Sequence, residues 1–144
     1  MYYFQAVIHA RPEATASGPR KPVDEQICQP LRVSPEMLRV PLPVSFEQAS
    51  IDLAALPRMF VEPDGSLVWV GVDGDEAWQV DGVLYDRNGR LLYIELKGNC
   101  PRNEFDRLLR TFGWPDIPLM FQLVDKAVYL TESDFRRWAE GNRQ

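Results

Sequence analysis

VDGVLYDRNGRLLYIELKG, residues 80–98, is the stretch that decides the fold. Two runs of β-branched, aromatic and aliphatic residues flank Asp86-Arg87-Asn88-Gly89-Arg90, the pattern of a β-hairpin. The turn can close in two ways. A two-residue loop uses Asn88-Gly89 in a type I′ turn; a three-residue loop uses Arg87-Asn88 in a type I turn with Gly89 left-handed in a bulge. The two registers differ by one residue, and such a slip turns one strand over. In the two-residue register Val80, Gly82 and Leu84 oppose Lys97, Glu95 and Tyr93, which mixes a buried row with charges. In the three-residue register Leu84 opposes Leu92, Gly82 opposes Ile94 and Val80 opposes Leu96, so one face is wholly apolar. The other face then pairs Tyr85 with Leu91, Val83 with Tyr93, Asp81 with Glu95 and Gln79 with Lys97. Burial selects this second register.

That choice creates an electrostatic problem. Carboxylates directly opposite each other on a sheet have Cβ atoms about 4.5–5.5 Å apart and repel. Lys97, on the same face, is one possible compensation. A divalent cation is another, because Mg²⁺ takes oxygen ligands, usually one or two carboxylates plus waters.

Asp81, followed after a hairpin by Glu95-Leu96-Lys97, resembles the PD-(D/E)XK nuclease superfamily. Val80-Asp81 stands where the family name has Pro-Asp. The resemblance implies a restriction-endonuclease-like core and hydrolysis of phosphodiesters in a nucleic acid held in a local groove. It implies Mg²⁺ or Mn²⁺ held by Asp81 and Glu95, with help from the Leu96 carbonyl. Lys97 would orient the attacking water or stabilise charge on the phosphorus centre. The alternative is a non-catalytic module, or a degenerate relative of the nuclease fold. There Lys97 neutralises Asp81 and Glu95, and the polar face binds a protein partner.

Around this hairpin the pattern predicts an α+β domain, mainly an antiparallel meander sheet flanked by helices. Ser45-Phe46-Glu47-Gln48 opens a helix with a capping box, and Phe46, Ala49, Leu53 and Leu56 carry its apolar spacing to Pro57. Glu47 reads as a first-turn acid facing water, although some nucleases of the resembling family use an acid there. Met59–Val72 is a second hairpin around Glu62-Pro63-Asp64-Gly65-Ser66, with Pro63 preset for the turn and Gly65 for the bulge. Asp73-Gly74-Asp75-Glu76 lacks the length and downstream Glu of a calcium loop and reads as a solvated turn. The meander strands fall near 59–62, 66–72, 77–86 and 90–98.

Asn99-Cys100-Pro101 starts a helix whose stripe is Phe105, Leu108, Leu109 and Phe112, stopped by Gly113. Arg102, Asn103, Arg107 and Arg110 lie off that stripe, either as a solvated face or towards a phosphate backbone beside Lys97. Leu119–Val124 and Ala127–Leu130 form one bent strand or two short ones. Thr131 caps a final helix, with Leu130 and Phe135 as its hydrophobic staple, and the tail frays from Gly141 to Gln144. At the other end, Tyr2–His9 suits a strand, and His9, the only histidine, reads as a solvated or satisfied side chain at its end. Residues 11–35 read as an extended or mobile segment, and 37–44 as a short edge strand.

Composition sets the outer bounds. The chain has 144 residues, 45% of them hydrophobic, which suits a single domain with a proper core. A net charge of −5 and a pI near 4.9 oppose a broad nucleic-acid surface but not a local basic groove. Cys28 and Cys100 form no disulfide or zinc pattern, so a reducing, cytoplasmic setting is expected. No stretch is long enough to span a membrane.

Overall fold

A computed structural model describes residues 1–142. The strands are β1 (Tyr2–Ala10), β2 (Ala16–Ser17), β3 (Lys21–Val23), β4 (Gln26–Cys28), β5 (Leu31–Arg32), β6 (Met59–Val61), β7 (Ser66–Asp73), β8 (Glu76–Arg87), β9 (Arg90–Cys100), β10 (Leu119–Leu123) and β11 (Val128–Thr131). The α-helices are α1 (Phe46–Ala54), α2 (Arg102–Arg110) and α3 (Glu132–Gly141). Nine strands form one antiparallel sheet in the order β2-β5-β11-β10-β1-β9-β8-β7-β6, and β3 and β4 form a separate hairpin. The α+β class and the antiparallel meander are as the sequence predicts.

The register of the central hairpin follows the two-residue alternative at the turn and neither expectation beyond it. Arg87 opposes Arg90, so the loop is the two-residue Asn88-Gly89 turn. Asn88 at φ 54° and Gly89 at φ 81° supply the two positive values that a type I′ turn needs. A bulge then shifts the pairing, and Leu92 is the extra residue between Asp86↔Leu91 and Tyr85↔Tyr93. Beyond it Leu84 opposes Ile94, Val83 opposes Glu95, Gly82 opposes Leu96 and Asp81 opposes Lys97. The net offset from the expected register is two residues, so the faces survive while every partner changes. Val80, Leu84, Ile94 and Leu96 are buried as expected, but the bulge buries Leu91 in place of Leu92.

The three helices share one core with that face of the sheet. Ser45 caps α1 by accepting a 2.9 Å hydrogen bond from the Gln48 amide. The α2 stripe of Phe105, Leu108, Leu109 and Phe112 is fully buried. Its Phe105 meets Phe4 of β1 edge-on at 5.3 Å, and Phe121 of β10 stacks on Phe135 of α3 at 4.3 Å. Each such ring stabilises the fold by roughly 1.5–3 kcal/mol through burial alone. Arg136 of α3 lies over the Trp114 and Phe105 rings, with Nη1 2.8 Å from Asp106 of α2, and so ties the two helices together.

Elsewhere the differences are local. Met37–Val44 is not an edge strand: Pro35–Arg39 is a 3₁₀ turn, after which the Leu42 amide donates to the Leu91 carbonyl. Residues 11–35 hold four short strands and bury Val23, Cys28 and Leu31. Strand β9 runs on to Cys100, so α2 begins two residues later. Residues 119–131 make two strands separated by a 3₁₀ turn. Of the expected frayed tail, Gly141 closes α3 and the Asn142 side chain donates to the Tyr3 carbonyl; residues 143 and 144 lie outside the described residues.

Candidate functional site on the uncovered sheet face

Alternation along the strands sends Asp81, Val83 and Tyr85 of β8 and Tyr93, Glu95 and Lys97 of β9 to the face away from the helices. Cross-strand pairing arranges them in rows. Phe60, Val68, Asp81, Lys97 and Gln5 form one row across five strands. Ser66, Val83, Glu95, Val7 and Gln122 form the next. Tyr85, Tyr93, His9 and Met120 form a third, in which His9 and Met120 are buried, so this face is open around β6–β9 and covered at that end of β1 and β10. A shallow depression of about 400 Å³ lies over the first two rows, lined by Gln5, Val7, Asp81, Glu95, Lys97 and Val124 among others.

The structure therefore brings Asp81, Glu95 and Lys97 to one depression, in an arrangement the sequence did not show. The two carboxylates are not opposed. Lys97 stands across from Asp81, and the Gln79 side chain donates a 2.9 Å hydrogen bond to Asp81 Oδ1. Glu95 lies one row away, between Val83 and Val7. The Tyr85 hydroxyl is pushed above its ordinary pKa by desolvation, then by the charge of Glu95 and a hydrogen bond to it. Among the described residues no salt bridge reaches Glu95.

Two carboxylates on adjacent rows are diagonal neighbours, about 7–8 Å apart, close enough for long or flexible groups to share a ligand. In number they fit a Mg²⁺ or Mn²⁺ ion that keeps most of its waters. Each, however, already has a protein partner. Leu96 fits less well: its side chain is buried on the helix side, and its backbone pairs with Ala6 on one flank and Gly82 on the other. Its carbonyl lies in the sheet plane, so ligation would require the ladder to open. Among the described residues no group of three or more His, Cys, Asp and Glu side chains is placed to hold a metal ion.

Several candidates lie elsewhere. Arg102, Arg107 and Arg110 belong to α2 and Glu47 to α1, both in the helix layer, across the sheet from Lys97. Arg107 pairs with Glu104. His9, next to last in β1, is not solvated, and the satisfied alternative holds at Nε2. It is buried in a central strand, with Nε2 2.8 Å from Gln122 Oε1 and its ring 5.6 Å from Tyr93 and 6.0 Å from Tyr129. Its Nδ1 has no hydrogen-bond partner among the described residues. Burial lowers its pKa below 6.5, and the bond to Gln122 opposes that shift only in part.

Sequence reasoning missed the aromatic row. Tyr85 and Tyr93 stack at 4.6 Å with 24° between their planes, and His9 and Tyr129 extend the ring series. The Tyr85 and Tyr93 positions share the parity of Asp81 and Glu95, which was the available signal. Compared with known protein families, curated proteins and solved structures, the chain matches none. Among the described residues no helix is long and apolar enough to cross a membrane.

Proposed function

We propose that this chain is a non-catalytic binding module whose contact surface is the uncovered face around Asp81, Glu95 and Lys97. The observation that carries this reading is the Asp81↔Lys97 pairing. Asp81 lies opposite a lysine and its carboxylate is bonded by the neighbouring Gln79 amide, the setting of a partnered surface group. With Glu95 opposite Val83 rather than Asp81, the direct cross-strand carboxylate pair that called for a cation does not form. Beside this pair the face exposes apolar surface: Phe60 is 64% exposed and Val72 69%. Exposed apolar groups rimmed by polar ones are characteristic of interaction surfaces.

A second reading, metal-dependent phosphodiester hydrolysis on a restriction-endonuclease-like core, is favoured by one observation: Asp81, Glu95 and Lys97 line the same depression. There Asp81 and Glu95 would hold Mg²⁺ or Mn²⁺. The ion would acidify a bound water and offset charge on the phosphate. Lys97 would place a cation beside that charge.

Calorimetric titration with Mn²⁺, together with incubation with single- and double-stranded DNA and RNA, separates the two. The module predicts no binding at millimolar metal and no cleavage. One Mn²⁺ bound per chain and lost in Asp81→Asn, with cleavage abolished by Lys97→Ala, would establish the hydrolytic reading instead.

A further inference from the structure

The uncovered face carries a more specific pattern than an interaction surface in general. Tyr85 and Tyr93 form a stacked pair, and Glu95 stands beside both: two residues from Tyr93 on β9 and in contact with Tyr85 across the strands. Glu95 is exposed and has no cation partner among the described residues, whereas the Asp81 carboxylate is bonded by the Gln79 amide and lies on the strand opposite Lys97. Phe60, Val68 and Val72, all exposed, continue the face as an apolar strip on β6 and β7.

We propose that this face docks an arginine-bearing segment of a partner protein, with a guanidinium stacked on the outer, Tyr85 side of the Tyr85–Tyr93 pair and bonded to Glu95. This rests on the module reading and names its partner chemistry. The argument is charge complementarity joined to shape. A guanidinium is flat, weakly hydrated and forked; it stacks on an aromatic ring while bonding a carboxylate through two parallel N–H groups. Stacking and carboxylate are adjacent here. Lysine could satisfy the charge but not the plane. A nucleic acid could use the rings, but its phosphates would meet two carboxylates against one ammonium in the depression, on a chain of net charge −5. The strip of Phe60 and Val68 would receive apolar side chains flanking the arginine.

The test uses three probes on the full chain: an eight-residue glycine–arginine repeat peptide with blocked ends, its lysine counterpart, and an eight-nucleotide oligouridine. Binding is followed through the aromatic NMR signals of Tyr85 and Tyr93. The arginine peptide is expected to shift both rings and to bind at least threefold tighter than the lysine peptide. Glu95→Gln should weaken it about tenfold, and Lys97→Ala, which removes a repelling cation, should tighten it. Both substitutions are at exposed positions, so the fold persists. Equal binding of the two peptides, indifference to Glu95→Gln, or ring shifts with oligouridine would each overturn the proposal. A chain that is silent towards Mn²⁺ yet ignores the arginine peptide refutes this inference while leaving the module reading standing.

Discussion

The two hairpins of the meander carry similar turn sequences and close differently. Glu62-Pro63-Asp64-Gly65-Ser66 makes the three-residue loop its sequence predicts. The Glu62 amide donates to the Ser66 carbonyl at 2.8 Å, the Gly65 amide donates to the Glu62 carbonyl, and Gly65 takes φ 94°. Asp86-Arg87-Asn88-Gly89-Arg90, with Gly at the same place, makes a two-residue loop followed by a bulge. Proline accounts for the difference. In a two-residue loop the flanking residues exchange both backbone bonds, and Pro63 in that position has no N–H to give. Arg87 has one, and Asn88 tolerates the left-handed region better than most residues. The type I′ turn also matches strand twist. It leaves the apolar residues out of step, and one extra residue, Leu92, restores them. A turn's chemistry and a strand's burial pattern can thus disagree by one residue, and a bulge reconciles them.

The sharpest way to break this comparison is at the bulge. Leu91→Ala empties a fully buried site and should cost about 2–5 kcal/mol. Leu92→Ala, at a half-buried site, should cost less than half of that in a urea unfolding series. Equal losses, or the reverse order, would remove the bulge from the account.

A smaller effect distinguishes the turns. In Gly89→Ala the new methyl meets nothing within 4 Å, so only the left-handed backbone resists it, at about 1–2 kcal/mol. In Gly65→Ala the methyl would lie 2.6 Å from the Leu84 carbonyl oxygen, adding a clash to the same strain. Thermal melts should rank Gly65→Ala below Gly89→Ala, and a tie would mean that the first loop relaxes to admit a side chain.

The smallest effect reports on the row beside the bulge. His9 opposes Tyr93, the first regular pair after Leu92, and its pKa is lowered by burial. The folded protein therefore resists protonation more than the unfolded chain does. The resulting stability is complete well above pH 6.5 and is lost as pH falls through 6.5 towards the folded value. His9→Gln should remove this contribution, so wild type should lose stability faster than the variant between pH 7.5 and 5. An identical slope would mean that His9 is hydrated and that the row is looser than described.

Most of the architecture was legible because its signals are local. Ser45, Thr131, Pro63 and the stripe from Phe105 to Phe112 each act within a few residues, and the elements they imply are present. Strand parity also held, which is why Asp81, Glu95 and Lys97 share a face. Which residue opposes which depends on a bulge, and β9 has a second neighbour besides β8. That neighbour is β1, inserted between β9 and β10. No spacing within Tyr2–His9 announces a central strand, so the sequence leaves His9 open between a solvated and a satisfied side chain, and the place of β1 in the sheet selects the buried one. The Tyr93–His9–Tyr129 series joins strands distant in sequence, and periodicity is blind to it.

The position of β1 has a consequence for how the protein is made. Phe4 pairs with Gly98, and Ala10 with Leu119. During synthesis at about 5–20 residues per second, β1 leaves the ribosome and then waits roughly 5–20 seconds for its partners. Throughout that interval an apolar strand with two unpaired edges is exposed, and it is the strand on which both halves of the sheet must assemble. The hairpins between residues 59 and 100 can close at once from neighbouring sequence. Once β9 has emerged with the meander, β1 can pair along one edge, and its other edge stays open until β10 follows.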